Sequence, residues 1–152
     1  MLTVGRWMPH APRGVGIEGW CPAGGWAVDH SEPPGLLAEY PELVETPSVD
    51  PAQRTEWNVR DSDVTLILAL ASTNGVAASP GTELTLELAG KYQKPSLVIG
   101  EGSRDEFITV MNWLAGQGSG RILNVAGPRE SESPGVYRLA FDVITTLLVR
   151  SR

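Results

Sequence analysis

The rhythm of hydrophobic and polar positions changes near Pro47. Upstream of it Gly, Pro and Trp are dense (Gly14, Gly16, Gly19, Gly24, Gly25, Pro33, Pro34, Gly35), and no helical period lasts more than a turn. Such a stretch predicts loop, with one short strand over 17–20. Downstream the signals become regular. Asp50-Pro51-Ala52-Gln53 predicts a helix start, with Asp50 as cap, Pro51 presetting φ and Gln53 at the capping-box position. That helix should reach Arg60, with Glu56 and Arg60 four apart on one face. The apolar run 63–70, closed by Ser72-Thr73-Asn74-Gly75, predicts a strand buried on both faces.

Residues 82–92 have helical composition, with Leu84, Leu88 and Ala89 at core spacing and Lys94-Pro95 as the stop. Ser96-Leu97-Val98-Ile99 predicts a second buried strand. Ser103-Arg104-Asp105-Glu106 reads as a capping box opening a helix whose apolar stripe is Phe107, Val110, Met111 and Leu114. Residues 116–120 break it, and Ile122-Leu123-Asn124-Val125-Ala126 predicts a third strand. Pro134 opens a last helix, where Val136, Leu139, Ala140, Val143, Leu147 and Leu148 keep a 3.6-residue period. Strand and helix thus alternate at least three times. That alternation predicts right-handed crossovers and a Rossmann-like three-layer α/β sandwich with a mostly parallel sheet.

Composition narrows the function classes. The chain has 152 residues, 41% hydrophobic and 20% charged, which suits a single globular domain. A net charge of −6 argues against a nucleic-acid partner, which would call for the opposite sign. The apolar run 64–71 is far short of the roughly 20 residues that cross a bilayer, so no membrane partner is expected. The first fifteen residues lack the apolar core of a secretory signal, and a single cysteine fits a reducing compartment. A cytoplasmic location is the expectation. Cys21, between Trp20 and Pro22, reads as a packed thiol, and neither His10 nor His30 has ligand partners at metal spacing. No Walker loop, nucleophile elbow or complete Gly-x-Gly-x-x-Gly fingerprint is present.

In an open parallel sheet, ligands gather beyond the carboxyl ends of the strands, where loops become helix N-termini. Three loops qualify. The first runs from Thr73 to Thr82, where backbone N–H groups and the hydroxyls of Ser79 and Thr82 could cradle an anion; equally, Ser79 and Pro80 could simply cap a helix. The second, from Asn124 to Ser131, sets Arg129 beside the same edge, unless Arg129 and Glu130 only decorate a surface turn. The third is the polar block Arg54-Thr55-Glu56-Trp57-Asn58-Val59-Arg60-Asp61-Ser62-Asp63. There Arg60 could touch a ligand or pair with Asp61, Asp63 or Glu56.

That block resembles a known family, together with Gly19-Trp20-Cys21-Pro22, Glu45-Thr46-Pro47-Ser48, the Gly81-Thr82-x-Leu84-Thr85-x-Glu87 turn and Leu123-Asn124-Val125-Ala126-Gly127-Pro128-Arg129-Glu130-Ser131. The family is that of the molybdenum carriers, within a wider SLOG-type set of Rossmann-like proteins related to the Lonely Guy phosphoribohydrolases and to DprA. The resemblance runs in order over 19–152. It implies a single Rossmann-like domain there, commonly a homo-oligomer (dimer or tetramer), and a divergent or truncated segment over 1–18. It also implies a phosphate-bearing small ligand, with molybdenum cofactor (molybdopterin) held and delivered rather than transformed. By the same resemblance the Gly-Thr turn falls on Gly81 and Thr82, the following acid on Glu87, and the Asn-Gly-Arg loop on Asn124, Gly127 and Arg129.

The pattern departs from the family in two places. The family's opening Gly-Gly-Gln-Thr-Gly segment has no counterpart in 1–15, and Pro80 replaces a glycine, removing one backbone donor and restricting Ser79. The leading expectation is therefore a non-enzymatic carrier that binds through Ser79, Gly81, Thr82, Glu87, Asn124, Gly127 and Arg129, with Arg60 sharing the charge. The rival is a hydrolase that cleaves nucleoside monophosphates, with Glu83 or Glu87 as acid, or a nucleotide sensor. A third reading is a domain that folds but binds nothing, or one completed by an oligomeric partner.

Overall fold

The computed structural model describes residues 16, 18–27, 32–72, 75–76, 79–118 and 121–150. The segment where an opening Gly-Gly-Gln-Thr-Gly would fall lies outside them. Three parallel strands, β3 (Val64–Leu68), β6 (Ser96–Ile99) and β7 (Leu123–Ala126), form a sheet in the order β6-β3-β7. Thr65 stands opposite Ser96 on one side and Asn124 on the other. The central strand is buried at every position, as its unbroken apolar run requires. Crossovers α2 (Pro80–Lys91) and α3 (Arg104–Gly116) join the strands, and α1 (Pro51–Asp61) and α4 (Val136–Arg150) flank them. This is the Rossmann-like α/β sandwich that the alternation predicts.

Side chains alternate across the sheet, so its two faces build different cores. Leu66, Leu68, Ile99 and Val125 pack under Val110 of α3 and Val136, Leu139, Ala140, Val143 and Ile144 of α4. Ile67, Ala69 and Ala126 occupy the opposite face, with Val98 against them. Helices α1 and α2 pack on each other through Val59, Leu88 and Ala89.

The helix starts follow the sequence signals. Asp50, Ser79 and Ser103 accept from the backbone N–H groups of Ala52, Thr82 and Glu106 respectively. Glu106 departs from the expected capping box: its carboxylate accepts from the N–H groups of Gly100, Glu101 and Gly102, at 2.7–2.9 Å. It organises the loop after β6 rather than its own cap.

Upstream of Pro47 the structure holds more order than the pattern predicts. Strand β1 (Gly19–Cys21) pairs in parallel with β2 (Leu43–Glu45), a strand the composition hides. A short hairpin, β4 (Ala71–Ser72) with β5 (Gly75–Val76), interrupts the loop after β3. Among the described residues β1–β2 is a separate sheet, and one side chain explains its boundary. Trp20 turns its backbone away from β2, and Asn58 of α1 takes both groups: Oδ1 accepts from Trp20 N–H at 2.8 Å, and Nδ2 donates to its carbonyl at 3.2 Å.

Candidate anion site at the carboxyl ends of the strands

Two chain segments leave the carboxyl ends of the neighbouring strands β3 and β7. From β3 the chain proceeds to Ser79 and α2, and from β7 to Gly127 and Arg129. Gly127 has to be glycine here, because a Cβ would sit 2.5 Å from the carbonyl oxygen of Leu68. Its loop therefore lies directly across the end of β3. The next turns are built by acids. Glu132 accepts from Arg129 N–H at 3.0 Å, and Glu130 accepts from Gly135 and Tyr137 N–H at the entrance to α4. Those two bonds hold the Glu130 carboxyl below its ordinary range. Glu130 is thus a helix cap rather than a solvated partner for Arg129.

The Arg129 side chain is half-buried and, among the described residues, forms no ion pair. Its charge reaches a second arginine. Arg54, from the beginning of α1, has its Nε closed off from solvent. Its pKa is lowered to about 10, first by burial and then by repulsion from Arg129; the Cys21 thiol acts weakly in the other direction. Cys21 is buried, and burial followed by Glu45 pushes its thiol up, so it is not primed as a nucleophile. Arg129 thus lies close enough to Arg54 to disfavour its charged form.

At the start of α2, Ser79 Oγ lies 3.1 Å from Thr82 Oγ1 and accepts from Thr82 N–H at 3.3 Å. Thr82 and Thr85 are buried, and Thr85 Oγ1 donates to the Gly81 carbonyl at 2.7 Å. The capping alternative thus describes what Ser79 does in this structure, while the positive end of the helix dipole remains at Gly81.

Ser79, Gly81, Thr82, Gly127 and Arg129 all lie at the carboxyl side of the sheet, and the other expected residues lie elsewhere. Glu87 is exposed, two turns along α2 from its start. Asn124 sits on the opposite half of β7, where its Nδ2 donates to Thr65 Oγ1 at 3.3 Å. Arg60 closes the far end of α1, bound through both Nε and Nη2 to Asp61 at 2.7 and 2.8 Å and stacked over Trp57. The structure does not bring it to Arg129.

The residue that sequence reasoning passed over is Arg54. Topology held the signal: a helix that feeds a strand through two residues begins at that strand's carboxyl end. Arg54 and Arg60, six residues or about 9 Å apart along the axis, therefore serve opposite edges. The rest of the polar block is architectural. Glu56 accepts from Lys91 and Tyr92, Trp57 packs edge-on to Trp20, Ser62 donates to the Val59 carbonyl, and Asp63 accepts from Ile122 N–H. Among the described residues no group of three His, Cys, Asp or Glu side chains forms a metal site, and no helix is long and apolar enough to cross a membrane.

Parallel strands with helices on both sides make this a Rossmann-like α/β domain. The chain belongs to the circularly permutated YpsA SLOG family, whose profile matches residues 8–148. It is also similar to a solved structure from Syntrophus aciditrophicus SB, named as a putative molybdenum carrier protein. Identity is 32% and the TM-score 0.71, over 86% of this chain and 77% of that one. No curated protein matches the chain.

Proposed function

We propose that this protein binds a phosphate-bearing small molecule at the carboxyl edge of its sheet and carries it without transforming it. Molybdenum cofactor is the cargo to test first, because the similar solved structure bears the name of a molybdenum carrier. The observation that supports the reading is the pair Arg54–Arg129, in which Arg129 has no ion pair among the described residues and raises the cost of protonating Arg54. A phosphate dianion between them removes that repulsion and accepts charge-assisted hydrogen bonds from both. The N-terminus of α2, through Gly81 and Thr82, adds its dipole on the neighbouring strand end. On this reading the cofactor's phosphate is the handle that Arg54, Arg129 and the start of α2 would hold. We further propose a cytoplasmic homo-oligomer; light scattering tests the oligomeric state, and a monomer would overturn that part.

Calorimetric titration with molybdenum cofactor, with AMP and with inorganic phosphate tests the proposal. Saturable binding of at least one phosphate-bearing ligand is expected, and silence toward all three overturns it. Incubation with AMP, followed by chromatography for free adenine, separates carrier from hydrolase. Intact AMP is expected, and adenine release would replace the carrier reading.

A further inference from the structure

The outward face of α4 lacks the polar surface that a helix on the outside of a domain normally carries. Val136, Leu139, Ala140, Val143 and Ile144 turn into the core. On the opposite side of the helix Phe141, Thr145 and Val149 follow one another at intervals of four, with Phe141 38% and Val149 65% exposed. From Val143 to Val149 the sequence contains no charged residue. Helix α3, packed on the same face of the sheet, exposes Ile108 as well.

The charges beside this face run in an order that the helix itself does not favour. Arg138 lies in the first turn of α4 and donates through Nε to Asp142, one turn further on, at 2.8 Å. Both side chains are open to solvent. A cation in the first turn opposes the helix dipole, and a base four positions before an acid is the weaker of the two orientations. Helix stability alone therefore does not account for the pair. Its placement does make the face self-complementary. Arg138 and Asp142 stand on one flank of Phe141, the positive group before it and the negative group after it. A two-fold axis at Phe141 reverses the helix direction in a second copy. Each Arg138 then meets Asp142 of the partner subunit, and the two phenylalanine rings meet each other.

We propose that α4 pairs antiparallel with α4 of a second copy about a two-fold axis at Phe141, exchanging the Arg138–Asp142 ion pair between subunits. Phe141 and Val149 supply the apolar burial, and the charges fix register and direction. This inference rests on the homo-oligomer proposed above and gives it an interface; the anion site does not depend on it.

The test is charge reversal in the full chain, read by light scattering over a dilution series. Arg138→Glu sets acid against acid across the axis, and Asp142→Arg sets base against base. Each variant alone should raise the dissociation constant roughly tenfold or more. Mixing the two restores both cross-subunit pairs in the heterodimer, so the mixture should regain the wild-type mass. An ion pair confined to one chain cannot give that result. Phe141→Lys should yield a monomer with an unchanged far-ultraviolet spectrum. A mixture no more associated than its separate components overturns the proposal. So does an oligomer indifferent to Phe141→Lys, and the homo-oligomer would then stand through another face. A wild type that is monomeric at every concentration overturns both.

Discussion

The two ends of the sheet use the same residue types to opposite effect. At the amino end each arginine is answered: Arg60 holds Asp61 at 2.7 Å, and Arg121 reaches Asp63 at 3.4 Å. At the carboxyl end the acids are drawn off to backbone duties. Glu130 caps α4 and Glu132 takes the Arg129 N–H, leaving Arg129 to face Arg54. A fold seeking stability alone would pair Arg129 as it pairs Arg60. On the proposed reading, a bound oxyanion offsets the repulsion that Arg129 exerts on Arg54.

The strongest way to break this comparison is to remove one arginine from each end. Arg129→Ala should lower the affinity for the phosphate-bearing ligand at least tenfold, about 1.4 kcal/mol, with little change in the thermal midpoint. Arg60→Ala should leave that affinity within twofold, because its charge is already met by Asp61 on the far side. Calorimetry on the two variants decides the matter. Equal losses would mean that the ends are not functionally distinct, and no loss for Arg129→Ala would remove the anion site.

How much of this was legible beforehand depends on which physical signal carried it. Strands β3, β6 and β7 and helices α1, α2, α3 and α4 announce themselves through apolar runs, caps and a 3.6-residue period, since those patterns are local. Strand β2 does not. Leu43–Glu45 is partly exposed, sits among prolines and acids, and is a strand because β1 lies beside it. The site divides in the same way. Gly127 and Arg129 could be read from a loop that follows a strand, whereas Arg54 required knowing which end of α1 meets which end of the sheet. Arg60 and Asn124 looked equivalent to them in composition, and only their place along helix and strand separates them.

Next in size is the boundary between the two sheets. Asn58 is 5% exposed and satisfies both backbone groups of Trp20, so Asn58→Leu leaves a partly buried N–H and C=O without their partner. A loss of about 2 kcal/mol in chemical denaturation is expected. Detachment of β1 from α1 should accompany it, visible as faster amide exchange at Trp20. Anion affinity should fall much less than for Arg129→Ala, because Arg54 leaves the same helix one turn earlier. A loss of binding as large as that of stability would mean that the amino-end clamp also positions Arg54, and the comparison would then describe one coupled unit.

The smallest effect expected is on pH dependence, and it too distinguishes the ends. Hydrogen bonds and charge from Arg60 hold Asp61 below its ordinary range, and Ile122 N–H with Arg121 does the same for Asp63. A carboxyl with a native pKa below its unfolded value contributes stability that is fully present above the unfolded value. That contribution is lost as pH falls through the native one. Stability should therefore be level from neutral pH down to the ordinary carboxylate range and decline only below it. Both side chains are open to solvent, so the decline should be shallow and flatten further in high salt. Ligand affinity should follow another curve. Arg54, with its pKa at about 10, keeps its charge over this range, so binding should weaken where the ligand's own phosphate takes up its second proton, near pH 6. Denaturation and titration series from pH 7 to 3 would show the two transitions separated by more than a pH unit. If affinity instead tracks the acid unfolding of Asp61 and Asp63, the carboxyl-end arginines are not what holds the anion.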